Sequence, residues 1–183
     1  LERLEEMVEA LSSLSRTGWM LRGVPHGLAE TVAEHSFHAS IIALELALRL
    51  RDAGYMVDPF KAAVIALVHD LGEAVIGDIP RTAGIGEAKR EAEMNAVSSL
   101  PVHGLVKDLI SEFEGSGSDE AFIARLSELL ATALKAGWYR RLGFERVSEI
   151  ESNMLGSIRG MLEGRVYGGV LREIIASVFG LSL

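Results

Sequence analysis

The stretch Ala63–Pro80, AVIALVHDLGEAVIGDIP, decides how this chain is read. It begins as an unbroken apolar run, and then His69, Asp70, Glu73 and Asp78 interrupt it. A carboxylate taken out of water must be paired or bound to a cation, because leaving it alone costs several kcal/mol. A helix that only filled a core would carry none of these groups. Upstream, Asp58-Pro59 reads as an N-cap followed by proline at the first helical position. The helix that follows is expected to run through His69 and Asp70 to about Gly72. A short turn at 73–77 then leads to a loop at 78–86.

The rest of the chain shows the same helical spacing. Leu1, Leu4, Met7, Val8, Leu11 and Leu14 follow the three-four rhythm of an amphipathic helix. Residues 15–29 carry Gly18, Gly23, Pro25 and Gly27 and read as a loop. Helices are expected at 31–53, 87–99, 102–114, 119–142, 147–163 and 169–179. Pro101, GSGS at 115–118 and YGGV at 167–170 separate the later ones. No alternating, valine-rich strand pattern competes with this reading, and no repeat or linker divides the chain. The fold class is therefore all-α, a helical bundle in one domain over residues 1–183.

Composition narrows the function. Of 183 residues, 49% are hydrophobic and 24% charged, which suits a globular chain with a sizeable core. There is no cysteine, so disulfides, thiolate metal sites and cysteine nucleophiles are excluded. The formal charge of −8, from 26 acids against 18 bases, argues against binding a nucleic acid polymer. No apolar run reaches the roughly 18 to 20 residues of a membrane span, which argues against a membrane partner. The acidic, amphipathic start LERLEEMVEALSSL is unlike a signal peptide, so a cytoplasmic setting is expected.

Polar groups gather in three places. Glu30, Glu34, His35 and His38 open the second long helix in ETVAEHSFHAS. His69, Asp70, Glu73 and Asp78 form the next group. Ser127 and Glu128 interrupt the apolar helix RLSELLATALK. Glu73 stands four residues after His69 and shares its helix face. His35 and Glu128 must arrive from other helices. Two imidazoles and two carboxylates make a mixed nitrogen-oxygen set that suits Mn, Co, Zn, Ni or Fe ahead of Mg. A buried His-Asp ion pair that merely joins helices is the competing structural reading.

RTGWMLRGV at 16–24, ETVAEHSFHAS at 30–40 and HDLGEAVIGDIP at 69–80 together resemble the HD-domain phosphohydrolases, specifically their 5′-deoxynucleotidase-like branch. The likeness extends from about Leu4 to about Leu142, with the HD core at about 30–142 and added C-terminal helices at 147–180. It implies an all-helical, metal-dependent enzyme, usually a homodimer, that releases phosphate from (deoxy)nucleoside 5′-monophosphates. By position it implies one divalent metal ion held by His35, His69, Asp70 and Glu128. The family has aspartate at the last of these positions, so this chain departs from it by one methylene; an alternative register places Ser127 there. Glu73 and Asp78 match the non-ligand catalytic acids. Arg16 and Trp19 match residues that hold the phosphate and the nucleoside.

The implied chemistry is water attack on a phosphate monoester. The ion would activate water and polarise the phosphoryl group. Arg16 would clamp phosphoryl oxygens through paired N–H donors. Glu73 would orient or deprotonate the water, and Asp78 would donate a proton to the leaving 5′ oxygen, with the two roles exchangeable. Trp19 would wall the sugar or base. Two other functions are carried beside this one: a degenerate HD protein that binds nucleotide or a partner without catalysis, and an HD hydrolase of another phosphoester.

Structural readings stand beside several of these. Trp19 also fits a core anchor, Arg16 a partner for Glu30, and Glu34 an exposed first-turn acid. His38 either steers His35 or lies partly exposed. His26 and His103 read as solvated. Lys135, Arg140, Arg141 and Arg146 read as a solvated helix end or a phosphate patch. Lys89 and Glu91 are candidates to close the 78–86 loop. The apolar tail VLREIIASVFGLSL reads as core or as dimer contact.

Overall fold

The computed structural model describes residues 3–80, 84, 86–115 and 117–183. Part of the expected loop at 78–86, Ser116 of the GSGS turn, Leu1 of the first apolar stripe and the side chain of Lys89 lie outside the described residues. In chain order the helices are α1 (Leu4–Ser13), α2 (Thr17–Met20), α3 (Val32–Asp52), α4 (Pro59–Val68) and α5 (Glu73–Ile76). They continue with α6 (Gly86–Ser99), α7 (Gly104–Gly115), α8 (Asp119–Arg141), α9 (Ser148–Leu162) and α10 (Gly168–Phe179). The all-α expectation holds. No helix among the described residues is long and apolar enough to cross a membrane.

Local sequence explains where the long helices begin. Thr31 and Glu34 form a reciprocal capping box at the start of α3: Glu34 N donates to Thr31 Oγ1 at 3.1 Å and Thr31 N to Glu34 Oε2 at 2.7 Å. That box places His35 in the first turn. Asp58 Oδ1 accepts from Phe60 N and Lys61 N, and Pro59 opens α4. Ser118 Oγ accepts from Ala121 N to start α8. α3 packs against α4 and α8, and α8 against α9. Their meeting faces bury Leu46, Leu50, Ile65, Ile123, Leu126 and Leu130, and α9 and α10 add Ile158, Leu171 and Ile175 to the same core. The C-terminal tail is thus core. α1 closes a second cluster by seating Met7 and Leu11 against Val32, Val68 and Ile110.

Two segments differ from the sequence expectation. Residues 15–29 are not all loop, because Thr17–Met20 forms the single turn α2. Its driving force is Trp19, which is buried with Val24, Ala29 and Tyr139, a large apolar payload for four residues. Antiparallel bridging fixes the segment: Arg16 N donates to Glu30 O and Val32 N to Leu14 O, each at 2.9 Å. Second, α4 stops at Val68, so His69 is its C-cap and Asp70 lies in a turn, after which residues 73–76 form the helix α5. Gly72 permits this turn to sit under α6, since a Cβ there would meet Glu93 O at 3.2 Å and Val97 Cγ2 at 3.3 Å. Gly77, at φ 79°, ends α5 in a conformation that side chains rarely adopt.

Candidate functional site

Leaving the helix brings His69 and Asp70 together. Neighbours inside an α-helix point about 100° apart. Here His69 Nε2 lies 3.1 Å from Asp70 Oδ2. The other ring nitrogen, Nδ1, is 2.7 Å from the Ala66 carbonyl oxygen. A proton on Nδ1 donates to that carbonyl and leaves the Nε2 lone pair facing Asp70. His35 arrives from α3, with Nε2 4.0 Å from Asp70 Oδ2 and its ring centre 5.5 Å from that of His69. Both imidazoles are buried, and among the described residues neither Nε2 makes a hydrogen bond.

This arrangement fits a divalent cation. One donor atom each from His35, His69 and Asp70 lies within 4.8 Å of the others. Two buried nitrogens lacking hydrogen bonds, beside a carboxylate, are costly unless something positive is shared among them. Glu128, the fourth expected donor, lies outside that three-atom cluster but lines the adjoining cavity with Asp70. The alternative, Ser127, is fully buried and spends its hydroxyl on Ile123 O at 2.7 Å.

The cavity has a volume of about 380 Å³, within the range of small-molecule sites. Asp70, Glu73, Asp78 and Glu128 are its acidic lining, and Arg16 and Trp19 line it as well. Glu73 is buried in the first turn of α5. Asp78 Oδ2 accepts from Thr17 N, and Asp78 O accepts from Thr17 Oγ1 at 3.0 Å, so this acid also fixes the start of α2. Arg16 makes its contacts through one nitrogen. Nη1 lies 2.9 Å from His35 Nδ1, 3.2 Å from Glu30 Oε1 and 3.3 Å from Thr132 Oγ1. Among the described residues, Nε and Nη2 make no hydrogen bond.

Behind the cavity wall stands Glu30, which is 1% exposed. Its Oε1 accepts from Trp19 Nε1 at 2.9 Å as well as from Arg16. Oε2 lies 3.8 Å from His38 Nδ1 and 3.9 Å from Lys135 Nζ. Burial opposes the charge on Glu30, but His38, Arg16, His35 and Lys135 outweigh it and hold the carboxyl down at about 2. Asp70 is likewise held below the usual carboxylate range: burial resists its charge, and His69, His35 and Arg16 overcome that resistance. Burial, joined by the charge of Arg16, pushes His35 well below the usual histidine range. His69 is raised, because Asp70 and Glu128 outweigh its burial.

The structure brings Arg16, Trp19, Asp70, Glu73, Asp78 and Glu128 to one cavity and puts His35 and His69 behind Asp70. His38 lies on the far side of Glu30, in a groove with Phe37, Ile41 and Trp138. Lys135 is no solvated helix end, since its ammonium stacks on Trp138 and Tyr139 and faces Glu30. Arg140 pairs with Glu151. His103 caps α7 by accepting from Leu105 N.

Comparison with known proteins agrees with this geometry. The HD domain family model matches residues 8–158. The chain belongs to the HD domain family. This HD chain is 29% identical over 160 residues to the 5′-deoxynucleotidase HDDC2 of Dictyostelium discoideum, covering 82% of this chain and 83% of that one. It is 29% identical over 144 residues to HDDC2 of Danio rerio, covering 75% and 68%. Among solved structures, the PH0347 protein of Pyrococcus horikoshii superposes with a TM-score of 0.82 at 31% identity, over 96% of this chain and 98% of that one. A conserved hypothetical protein of Pyrococcus furiosus gives 0.83 at 32% identity, over 98% and 100%.

Sequence reasoning gave no site role to three groups of this HD domain. Glu30 entered as one of the polar groups of ETVAEHSFHAS and as a partner for Arg16, and Thr132 not at all. Ile150, Asn153, Met154 and Ser157 of α9 also line the cavity. Their spacing of three, four and seven residues from Ile150 marks one helix stripe, a signal legible in the sequence but shared with any amphipathic helix.

Proposed function

We propose that this chain removes phosphate from (deoxy)nucleoside 5′-monophosphates with the help of one divalent transition metal ion. It is a phosphohydrolase of the HD family, as its family match and its nucleotidase relatives indicate. The monophosphate substrate is the finer part of the reading. One observation carries it: the cavity that meets the His35–His69–Asp70 cluster at Asp70 is also lined by Arg16, whose hydrogen bonds among the described residues all run through Nη1.

His35, His69 and Asp70 would hold the ion, and Glu128 would complete the set. The ion supplies Lewis acidity toward a phosphoryl oxygen and lowers the pKa of water. Arg16 presents its remaining N–H donors to the phosphate, in the paired geometry that lysine lacks. Its contacts with Glu30 and Thr132 fix the guanidinium before substrate arrives, so little order has to be imposed on binding. Glu73, rooted in the first turn of α5, orients or deprotonates the attacking water. Asp78 has Oδ2 committed to Thr17 N and keeps Oδ1 for a proton delivered to the leaving 5′ oxygen. Trp19 gives the cavity a rigid apolar wall, because Glu30 and Tyr139 hold its ring.

A homodimer in a cytoplasmic setting belongs to the same proposal. Phe37 and Ile41 of α3 and Trp138 of α8 leave an exposed apolar groove that a second copy would cover. Light scattering on the purified chain tests the dimer.

The activity is tested by phosphate release from a panel of nucleoside and deoxynucleoside monophosphates. Chelator-treated protein receives Mn, Co, Zn, Ni, Fe or Mg in turn. Release that depends on a transition metal and is abolished by Asp70→Asn supports the reading. No release with any ion and any monophosphate would end it.

A further inference from the structure

The cavity is chemically lopsided. Asp70, Glu73, Asp78 and Glu128 line it, and the phosphate chemistry is proposed beside them. One stripe of α9 also lines it, in which apolar Ile150 and Met154 stand on either side of polar Asn153, with polar Ser157 beyond them. Asn153 and Ser157 are exposed in this stripe, and among the described residues neither side chain makes a hydrogen bond. Their amide and hydroxyl are therefore available to a ligand.

The stripe is also held in place. Arg22, on the segment after α2, grips Glu149 in the first turn of α9, with Nη2 at 2.9 Å and Nε at 3.1 Å from Oε2. Arg140 of α8 grips Glu151 at 2.9 Å. The far face of α9 buries Ile158 and Leu162 in the core. The cavity thus has a fixed wall that offers apolar surface on both sides of an unspent amide.

We infer that α9 is the nucleobase wall of the site and that Asn153 hydrogen-bonds the base edge, with Ile150 and Met154 packing against the base. This inference rests on the proposed monophosphate substrate. The chemistry favours a base over a sugar or a second phosphate. A base needs flat apolar contact and a donor-acceptor group at its edge, whereas a second phosphate needs cations. Among the described residues, the arginine that lines this cavity beside α9, Arg22, is already paired with Glu149. A side-chain amide carries both a donor and an acceptor and serves different bases by turning over. Asn153 is accordingly a residue that favours a base over none, without choosing strongly among the four.

The test compares the four deoxynucleoside 5′-monophosphates with 2-deoxyribose 5-phosphate, which has the same phosphate and sugar and no base. The wild-type chain and Asn153→Ala are measured side by side. In Asn153→Ala, KM for all four nucleotides should rise about tenfold with kcat little changed, the size expected for one good amide-base contact. Values for 2-deoxyribose 5-phosphate should stay within about twofold of wild type. Ile150→Ala should shift the same KM values in the same direction. Because Asn153 is exposed, its replacement leaves the fold intact, which circular dichroism confirms. Nucleotides and sugar phosphate weakened equally, or neither affected, overturns the inference while the parent reading stands. Failure of the wild type to release phosphate from any of the five overturns the parent reading and the inference together.

Discussion

Trp19 Nε1 and Arg16 Nη1 converge on a single oxygen, Oε1 of Glu30, at 2.9 and 3.2 Å. The indole, the guanidinium and the carboxylate come from segments that the Ser15–Thr31 bridge lays side by side. Glu30 therefore sets the position of the phosphate-facing arginine and of the cavity's aromatic wall at once. Nothing in the local sequence around Glu30 requires it to be buried; the cations that compensate it come from α2's entry, α3 and α8.

Replacing Glu30 should accordingly cost stability first. Breaking a buried ion pair from one side leaves the other charge uncompensated, a loss of about 3–5 kcal/mol. Glu30→Ala is expected to reach that range. Glu30→Gln should cost less, because its amide oxygen still accepts from Trp19 Nε1. For a domain of this length each kcal/mol is about 2–4 °C in midpoint. Thermal unfolding should rank the chains as wild type, then Gln, then Ala. A Glu30→Ala chain as stable as wild type would show that the network is not compensating a buried charge.

Tyr139 contributes to the loss of stability at alkaline pH. Its hydroxyl accepts from Glu30 N at 2.8 Å and donates to Leu28 O at 2.9 Å, which locks the chain just before α3. Burial pushes the phenol up to about 12 from an ordinary value of 10.0. The neutral form is thus favoured by the fold. Its contribution is complete below the unfolded value and is lost as pH rises through the folded one. Stability measured by denaturant unfolding should therefore fall between about pH 10 and 12. Tyr139→Phe should flatten that fall and lower stability at neutral pH by about 2 kcal/mol, the cost of two unmet backbone groups. A variant with the same alkaline decline as wild type would assign the decline elsewhere.

The divalent ion itself is checked without turnover. The wild-type chain should bind one equivalent of Mn, Co or Zn by equilibrium dialysis, and His69→Ala should lose it. His103→Ala is the control, since that imidazole only caps α7. Equal binding in all three chains would separate the ion from the His35–His69–Asp70 cluster.

Glu73 and Asp70 sit three residues apart and should part company in experiment. Asp70 belongs to the donor cluster, whereas Glu73 lines the cavity from α5. Asp70→Asn should lower both bound ion and activity. Glu73→Gln should keep the ion and cut kcat by about 100-fold or more, as expected for a positioned general base or acid. Loss of the ion in Glu73→Gln would make it a ligand instead.

How much of this was legible in the chain depends on range. Thr31 with Glu34, and Asp58 with Pro59, announce α3 and α4 because caps are local chemistry. The His69-Asp70 pair and the motifs around it point to the family for the same reason. The early end of α4 was not legible, because it depends on α6 lying against Gly72. Nor was the turn of helix around Trp19, which forms because Tyr139 and Val24 bury the indole. Lys135 read as a solvated helix end, since only the fold reveals that its ammonium faces Glu30. Long-range burial, in each case, overrides what the neighbouring residues suggest.

Glu128 is where sequence register and structure can be tried against each other most sharply. The resemblance implies an aspartate at this step of α8, and the alternative register offers Ser127. Consecutive helical residues point about 100° apart, and here Ser127 Oγ bonds back to Ile123 O while Glu128 lines the cavity wall. Ser127→Ala should therefore leave ion affinity and activity near wild type, and Glu128→Ala should weaken ion binding by about 10-fold or more, in the range seen when a supporting group of a metal site is lost. Glu128→Asp shortens the arm by one methylene and should retain the ion with activity equal to or above wild type. If competition with a coloured chelator instead finds Ser127→Ala impaired and Glu128→Ala unchanged, the fourth donor does not come from this turn of α8.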